Sequence, residues 1–128
     1  MSSYERVFPL TTTPYFFIGL KAVAVIFGNE RVDVKSWRGV YAAILSRCNQ
    51  DASHHDMLMY LRNRASGKIR MFLSDKPDSM TRPLQIDDDL YAETHYGTQT
   101  LMHILTVRIL APTGFDMSGI SIMTRERV

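Results

Sequence analysis

The sequence predicts an α+β domain in which a small mixed or antiparallel sheet, made of a hairpin plus later strands, packs against about three helices. Phe, Ile and Val are concentrated between residues 16 and 27, and a Gly28-Asn29 pair follows them. This pattern is typical of a strand that ends in a tight hairpin turn. Later segments carry the apolar spacing of helices, and short apolar runs beside them indicate further strands.

The length and composition favour one folded domain. The chain has 128 residues, of which 45% are apolar and 22% charged, and these values argue against disorder. We expect residues 1–14 to form an extended N-terminal arm and residues 15–128 to form a single α+β domain. The net charge is only +2, so any argument from charge depends on its distribution.

Extended structure is predicted for the N-terminal part of the chain. Pro9, a run of three threonines and Pro14 favour a loose arm or an edge strand. The apolar residues 16–27 indicate a strand. Residues 31–35 alternate polar and apolar side chains as a half-buried strand does, which completes the hairpin.

Two helices are predicted after the hairpin. Ser36 is the expected N-cap of the first, over residues 37–49, because its hydroxyl can accept a backbone N–H of the first turn. The apolar side chains of this helix share one face: Trp37, Val40, Tyr41, Ile44, Leu45 and Cys48. The second helix is predicted over residues 54–64, with Ser53 and Asp56 as its capping pattern.

The second half of the chain predicts strands around a third helix. The expected order is a strand over 68–73, a polar loop over 74–82, a strand over 90–94, a helix over 97–110 and a strand over 119–124. The third helix ends before Pro112. Its apolar residues cover most of its circumference, so we expect it to lie centrally in the core or to be shared with a second copy in a homodimer.

No catalytic, metal-binding or cofactor-binding motif is recognisable, so the protein is predicted to be non-enzymatic and to need no metal or cofactor. His54 and His55 are adjacent, and neighbouring residues of a helix diverge by about 100°, so the pair does not converge on one ion. Cys48 lies on an apolar helix face, where a thiol is a small buried hydrophobe. An active site assembled from distant residues leaves no motif, and this alternative stays open.

Cysteine usage and the lack of targeting signals predict a cytoplasmic protein. A single cysteine excludes an internal disulfide and suits a reducing compartment. The N-terminus lacks the pattern of a signal peptide. The most apolar stretch, residues 15–27, is interrupted by Gly19 and Lys21 and is too short to span a bilayer, so no membrane contact is expected.

The distribution of charge carries the main functional prediction. Residues 62–82 hold six bases and two acids, a local sum of +4, whereas residues 83–95 hold four acids and no base. The six bases, called the basic strip below, are Arg62, Arg64, Lys68, Arg70, Lys76 and Arg82. Such a strip suits contacts with the phosphates of a nucleic acid. The alternative is that the strip and the acidic segment, with its solvated run at 87–89, lie side by side and screen each other.

Several segments together resemble a known type of domain. They are residues 24–28, 32–37, 68–74, 82–86 and 90–94. Their order resembles a small uncharacterised bacterial domain found in restriction, defence and mobile-element proteins, in which a Ser-Trp pair starts the first helix and a Glu-Thr pair opens the last. Here His95 stands where Asn is usual, and an additional strand follows the last helix. The resemblance implies an accessory, non-enzymatic binding module that works near DNA.

Three functions follow as predictions. The first is an accessory module of a bacterial defence or mobile-element system that contacts nucleic acid through the basic strip. The second is a phage or mobile-element protein that binds and inhibits a host defence complex, as anti-CRISPR proteins do. Near-neutral charge and adaptable methionines favour it, namely Met57, Met59, Met102, Met117 and Met123. The third is a homo-oligomeric scaffold protein.

Overall fold

The computed structural model of the protein describes residues 5–64 and 71–126, which form two antiparallel sheets and three helices. The strands are β1 Glu5–Pro9, β2 Leu20–Phe27, β3 Glu30–Asp33, β4 Leu73–Ser74, β5 Pro83–Asp87, β6 Leu90–Glu93 and β7 Ile120–Glu126. The helices are α1 Trp37–Gln50, α2 Ala52–Leu61 and α3 Thr98–His103. The predicted α+β class is confirmed.

The larger sheet has the strand order β1-β7-β2-β3, so the two ends of the described chain pair with each other. The hairpin of β2 and β3 turns at Gly28 and Asn29, as the sequence predicts. Gly28 has a φ of +62°, a conformation that costs little only for glycine. Strand β1 is an edge strand, which agrees with the extended conformation expected for that part of the arm.

The strand predicted from residue 16 begins only at Leu20, and this part of the prediction is wrong. Pro14–Phe17 form a single 3-10 turn instead, called the aromatic turn below. Proline presets the backbone for such a first position, and Gly19, at φ +82°, reverses the chain before β2. Phe17 is fully buried, so the apolar composition that indicates a strand here reflects a buried turn.

The smaller sheet has the order β4-β6-β5, and its strand β5 was not predicted. Proline lacks the N–H that a central strand needs for its hydrogen bonds, so Pro83 argues against such a strand. Strand β5 lies at the sheet edge, where the missing N–H breaks no hydrogen bond between strands. The acidic run forms the β5–β6 turn, with Asp89 at φ +55°. Residues 65–70, which include half of the strand predicted over 68–73, lie outside the described residues.

The cap predicted for α1 is confirmed, because Ser36 Oγ accepts the Gly39 N–H at 3.1 Å. The six apolar side chains expected on its inner face are all buried. Helix α2 is capped by Asp51 rather than Ser53, and it ends at Leu61, before the predicted residue 64. Asn63 follows with a φ of +64°, a left-handed conformation that does not continue a helix.

The third helix begins close to its predicted start, but its predicted end is wrong, because helical structure continues through Pro112 to Thr113, and its geometry changes along the way. After α3 the chain continues as a π-helical segment, Ile104–Leu110, and a last turn, Ala111–Thr113. Apolar periodicity does not distinguish a wider helix from an α-helix. Six of its apolar side chains are buried within the chain itself, so it lies in the core: Leu101, Met102, Ile104, Leu105, Ile109 and Leu110.

Candidate anion-binding cleft

The described members of the basic strip lie in different surroundings. Arg62 Nη1 donates to the backbone carbonyl of Asp89 at 2.8 Å. The Arg64 guanidinium lies over the Tyr60 ring at 4.5 Å and donates to the Tyr60 carbonyl. Lys68 and Arg70 lie outside the described residues. Part of the strip therefore interacts with the chain's own backbone and rings.

Charges of the chain also meet at Asp75, beside the strip. The pKa of Asp75 is lowered mainly by a hydrogen bond from Asn63, and a backbone hydrogen bond and the positive charges of Lys76 and Arg62 contribute in the same direction. The predicted alternative of mutual screening placed the strip against the acidic segment 83–95. Two strip residues contact that segment: Arg62 donates to the carbonyl of Asp89, and the backbone N–H of Arg82 donates to the carboxylate of Glu93.

Arg82 lies elsewhere, in a cleft of about 440 Å³ where the two sheets and the start of α1 meet. The cleft is lined by Lys21, Ala22, Lys35, Ser36, Trp37, Arg38, Arg82, Thr94, Tyr96, Thr98 and Leu101. Four of these residues are cations and none is an acid. We call this site the cationic cleft.

Each of the four cations reaches the cleft from a different element. Lys21 lies on β2, Lys35 precedes the α1 N-cap, Arg38 lies in the first turn of α1, and Arg82 directly precedes β5. Arg38 is fixed by two hydrogen bonds, from Nε to Thr94 Oγ1 at 3.0 Å and from Nη2 to the Pro83 carbonyl at 3.1 Å. The other three are exposed.

Positively charged side chains line the cleft, and no acidic side chain is among the lining residues. Among the described residues, none of the four side chains forms an ion pair with a carboxylate. The N-terminal end of the 14-residue helix α1 adds a partial positive charge, since the first N–H groups of a helix have no partner within it. An anion with several oxygen atoms would relieve the repulsion among these groups.

A buried carboxylate holds one wall of the cleft in place. Glu93 is fully buried and accepts four backbone hydrogen bonds. Their donors are the N–H groups of Thr81 at 2.7 Å, Arg82 at 2.8 Å, Thr94 at 3.0 Å and His95 at 3.2 Å. Glu93 thereby positions the backbone from which Arg82 projects.

Tyr41 lies in the core near the same wall. Its side chain is fully buried, and its hydroxyl has no hydrogen-bond partner among the described residues. Burial raises the pKa of this phenol far above its ordinary value, and the charges of Tyr96 and Glu93 act in the same direction. The neutral form of the phenol is therefore favoured.

The histidines that attracted attention in the sequence face different partners. His54 Nδ1 lies 3.3 Å from Asp51 Oδ2, whereas His55 Nδ1 lies 2.6 Å from Asn49 Oδ1. Asn49 Nδ2 in turn donates to Asp87 Oδ2 at 2.8 Å, so this group connects α1, α2 and β5. In the described ranges, no three His, Cys, Asp or Glu side chains gather so that they could hold a metal ion.

Cys48 is fully buried on α1, as predicted for a small hydrophobe. Burial raises the pKa of its thiol, and the hydroxyl of Thr113, 3.8 Å away, offsets this only in part. A raised pKa keeps the sulfur protonated and unreactive.

Sequence reasoning found one cation of the cleft and missed three. Lys21 is isolated in the sequence, and although Lys35 and Arg38 lie three residues apart, no sequence pattern groups them with Arg82. Lys21 lies within β2, whose remaining residues are apolar, and Lys35 follows the alternating strand β3. If the first hairpin is expected to lie beside the start of the first helix, these three cations can be placed close together from the sequence.

Comparisons of the chain with family models, with curated proteins and with solved structures found no match. The resemblance to a domain of restriction, defence and mobile-element proteins therefore stays a prediction. Along the described part of the chain, the helices lack the length and apolar character that crossing a membrane requires. What the protein binds has to be argued from the cationic cleft.

Proposed function

We propose that the protein is a non-enzymatic nucleic-acid-binding module and that the cationic cleft makes its phosphate contacts. The observation that carries the proposal is the convergence of four cationic side chains on one cleft whose lining residues include no acid. The proposal keeps the predicted class of function but moves its main surface from the basic strip to the cleft, with Arg82 common to both. A role in bacterial defence or on a mobile element rests on the resemblance alone.

A polyanion suits the cleft better than a compact metabolite does. The cleft is open, and three of its four cations project into solvent, where single charge pairs contribute little free energy. A nucleic acid engages several such cations at once and releases condensed counterions from each contacted phosphate. Binding should therefore weaken steeply as salt rises.

The test compares two double charge reversals by fluorescence anisotropy with a labelled oligonucleotide. Lys35→Glu with Arg82→Glu alters the cleft, and Arg64→Glu with Lys76→Glu alters exposed cations of the strip outside it. Both pairs change the net charge equally. We expect the cleft pair to weaken binding at least about tenfold at low salt and to reduce the slope of log K against log salt by about two.

The control pair should change affinity far less than the cleft pair. Equal losses in both pairs would show that binding depends on net charge alone, and the cleft would then have no special role. No binding by the wild-type protein at low salt would overturn the proposed function.

The inhibitor alternative stays a prediction, with mixed support from its methionines. Met102 is fully buried, whereas Met57 is 36% exposed. The remaining three are half-buried: Met59, Met117 and Met123.

For the scaffold alternative, most of the apolar surface of the third helix is covered by the chain itself, and only Val107 is a large exposed apolar residue there. A light-scattering mass measures self-association directly.

A further inference from the structure

Two aromatic rings stand in solvent on the aromatic turn. Tyr15 is 64% exposed and Phe16 is 60% exposed, with ring centroids 5.9 Å apart in an edge-to-face arrangement. Phe17 points the other way and packs against Phe8 at 5.7 Å and Trp37 at 4.9 Å. The buried Phe17 side chain therefore anchors the turn. The exposed rings then lose little conformational entropy when they bind a ligand.

Surface hollows connect the cationic cleft to this turn. A hollow of about 320 Å³ is lined by Ile18 and Gly19 on one side and by residues 97–100 on the other. Its residue Thr98 also lines the cationic cleft. A further hollow of about 410 Å³ lies between Pro14 and residues Gln99, Thr100 and His103. The path from the cleft to the base of the aromatic turn crosses the start of α3.

The composition of this path suits a polyanion with planar groups. No acidic residue lines the cleft or either hollow. The surface passes from four cations through hollows lined by threonine, glutamine, glycine, Ile18 and His103 to the turn that carries the two exposed rings. An apolar protein partner needs an apolar patch with a mixed rim, whereas a strand of nucleic acid needs cations for phosphates beside rings for bases.

We propose that this path binds single-stranded nucleic acid, with phosphates in the cationic cleft and unpaired bases stacked on Tyr15 and Phe16. The proposal rests on the proposed function and adds which kind of nucleic acid is bound. Bases within a duplex are stacked on each other, and their faces are closed to side chains. Stacking on aromatic rings is tolerant of sequence, so little base preference is expected.

The experiment measures anisotropy with three labelled probes of equal length, about 12 nucleotides. They are an oligothymidylate, an abasic oligomer with the same backbone, and a duplex. The wild-type protein should prefer the oligothymidylate to both other probes. Tyr15→Ala with Phe16→Ala should weaken oligothymidylate binding at least about tenfold, leave abasic binding unchanged and leave the salt slope unchanged.

Three further variants separate stacking from mere apolar contact and from unfolding. Phe16→Leu keeps an apolar side chain without a ring face, so it should lose affinity, whereas Phe16→Trp should retain it. Val107→Ala, at a residue 51% exposed outside the path, is the matched control and should have no effect. The thermal midpoints of the ring variants should equal that of the wild type because both rings lie in solvent.

The outcomes distinguish this inference from the proposed function. If the cleft reversals abolish binding but the ring variants bind oligothymidylate as the wild type does, the inference is wrong and the proposed function stands. An equal loss on the abasic probe, or a preference for duplex, would likewise overturn stacking. If no probe binds, both fail, and the exposed rings are then to be sought in a protein interface.

Discussion

Glu93 is the single residue on which the geometry of the cationic cleft depends most directly. Its carboxylate is closed to water and accepts four backbone N–H groups from the segments on either side of the smaller sheet. Hydrogen bonds to a charged acceptor are stronger than neutral ones, and donors left without an acceptor in the core are costly. The residue shapes the cleft without lining it.

The change Glu93→Gln tests this role. The amide nitrogen would face backbone donors and leave some of them unsatisfied, so we expect the free energy of unfolding to fall by about 2–4 kcal/mol. Urea denaturation measures this free energy of unfolding. Glu126→Gln makes the same substitution on a half-exposed side chain that pairs with Arg6, and it should change stability by less than about 0.5 kcal/mol. Equal effects of the two changes would show that the buried carboxylate is not required.

Among the helices, α2 depends on the side chain before its first residue. Asp51 Oδ2 accepts the His54 N–H at 3.1 Å, which satisfies one of the donors left free at a helix start. The pKa of Asp51 is lowered below 3.8, first by the hydroxyl of Ser53 and then by the His54 N–H. The charged form is therefore favoured in the folded protein.

The pH dependence of α2 follows from the direction of that shift. A carboxyl group with a lowered folded pKa stabilises the fold above its ordinary pKa, and this contribution is lost as pH falls through the folded value. Thermal unfolding should show Asp51→Ala less stable than the wild type at about pH 7, with the difference shrinking at about pH 3. Asp78→Ala, an exposed carboxyl group away from any helix start, is the control. A stability difference between Asp51→Ala and the wild type that stays constant with pH would contradict a capping role of the Asp51 carboxylate.

In the whole molecule, Arg38 links helix α1 to the smaller sheet beside the cleft. It projects from α1, which follows the larger sheet, and its guanidinium donates to Thr94 and Pro83 of the smaller sheet. The planar guanidinium reaches both acceptors at once, which a lysine ammonium on a flexible stem cannot do as well. Arg38 therefore carries a structural and an electrostatic task together.

Two substitutions separate these tasks. Arg38→Ala should lower the free energy of unfolding by about 1–3 kcal/mol and reduce the salt slope of binding by about one. Arg38→Lys keeps the positive charge, so the salt slope should stay near that of the wild type while part of the stability is lost. Chemical denaturation and anisotropy on the same samples give both numbers. A slope that falls equally in both variants would refute an electrostatic role for Arg38.

The elements that sequence reasoning predicted correctly are those determined by neighbours in the chain. Ser36 caps α1 because a cap is a contact across three residues, and the hairpin turns at Gly28 because that position needs a positive φ. The errors lie where an apolar segment is compatible with two structures. At the aromatic turn, the same composition fits a strand and a buried turn. Strand β5 was missed because an edge position, which only the sheet defines, is what makes Pro83 acceptable.

The sequence by itself determined the α+β class, the apolar face of α1, the burial of Cys48 and the lack of a recognisable catalytic motif. Only the tertiary structure decided where the positive charge is concentrated. Lys21, Lys35 and Arg82 come from separate strands and connections, and a charge sum along the chain counts sequence neighbours, whereas an electrostatic field depends on distance in space. The four donors that Glu93 gathers are another contact of this kind, since they come from two segments that only folding brings together.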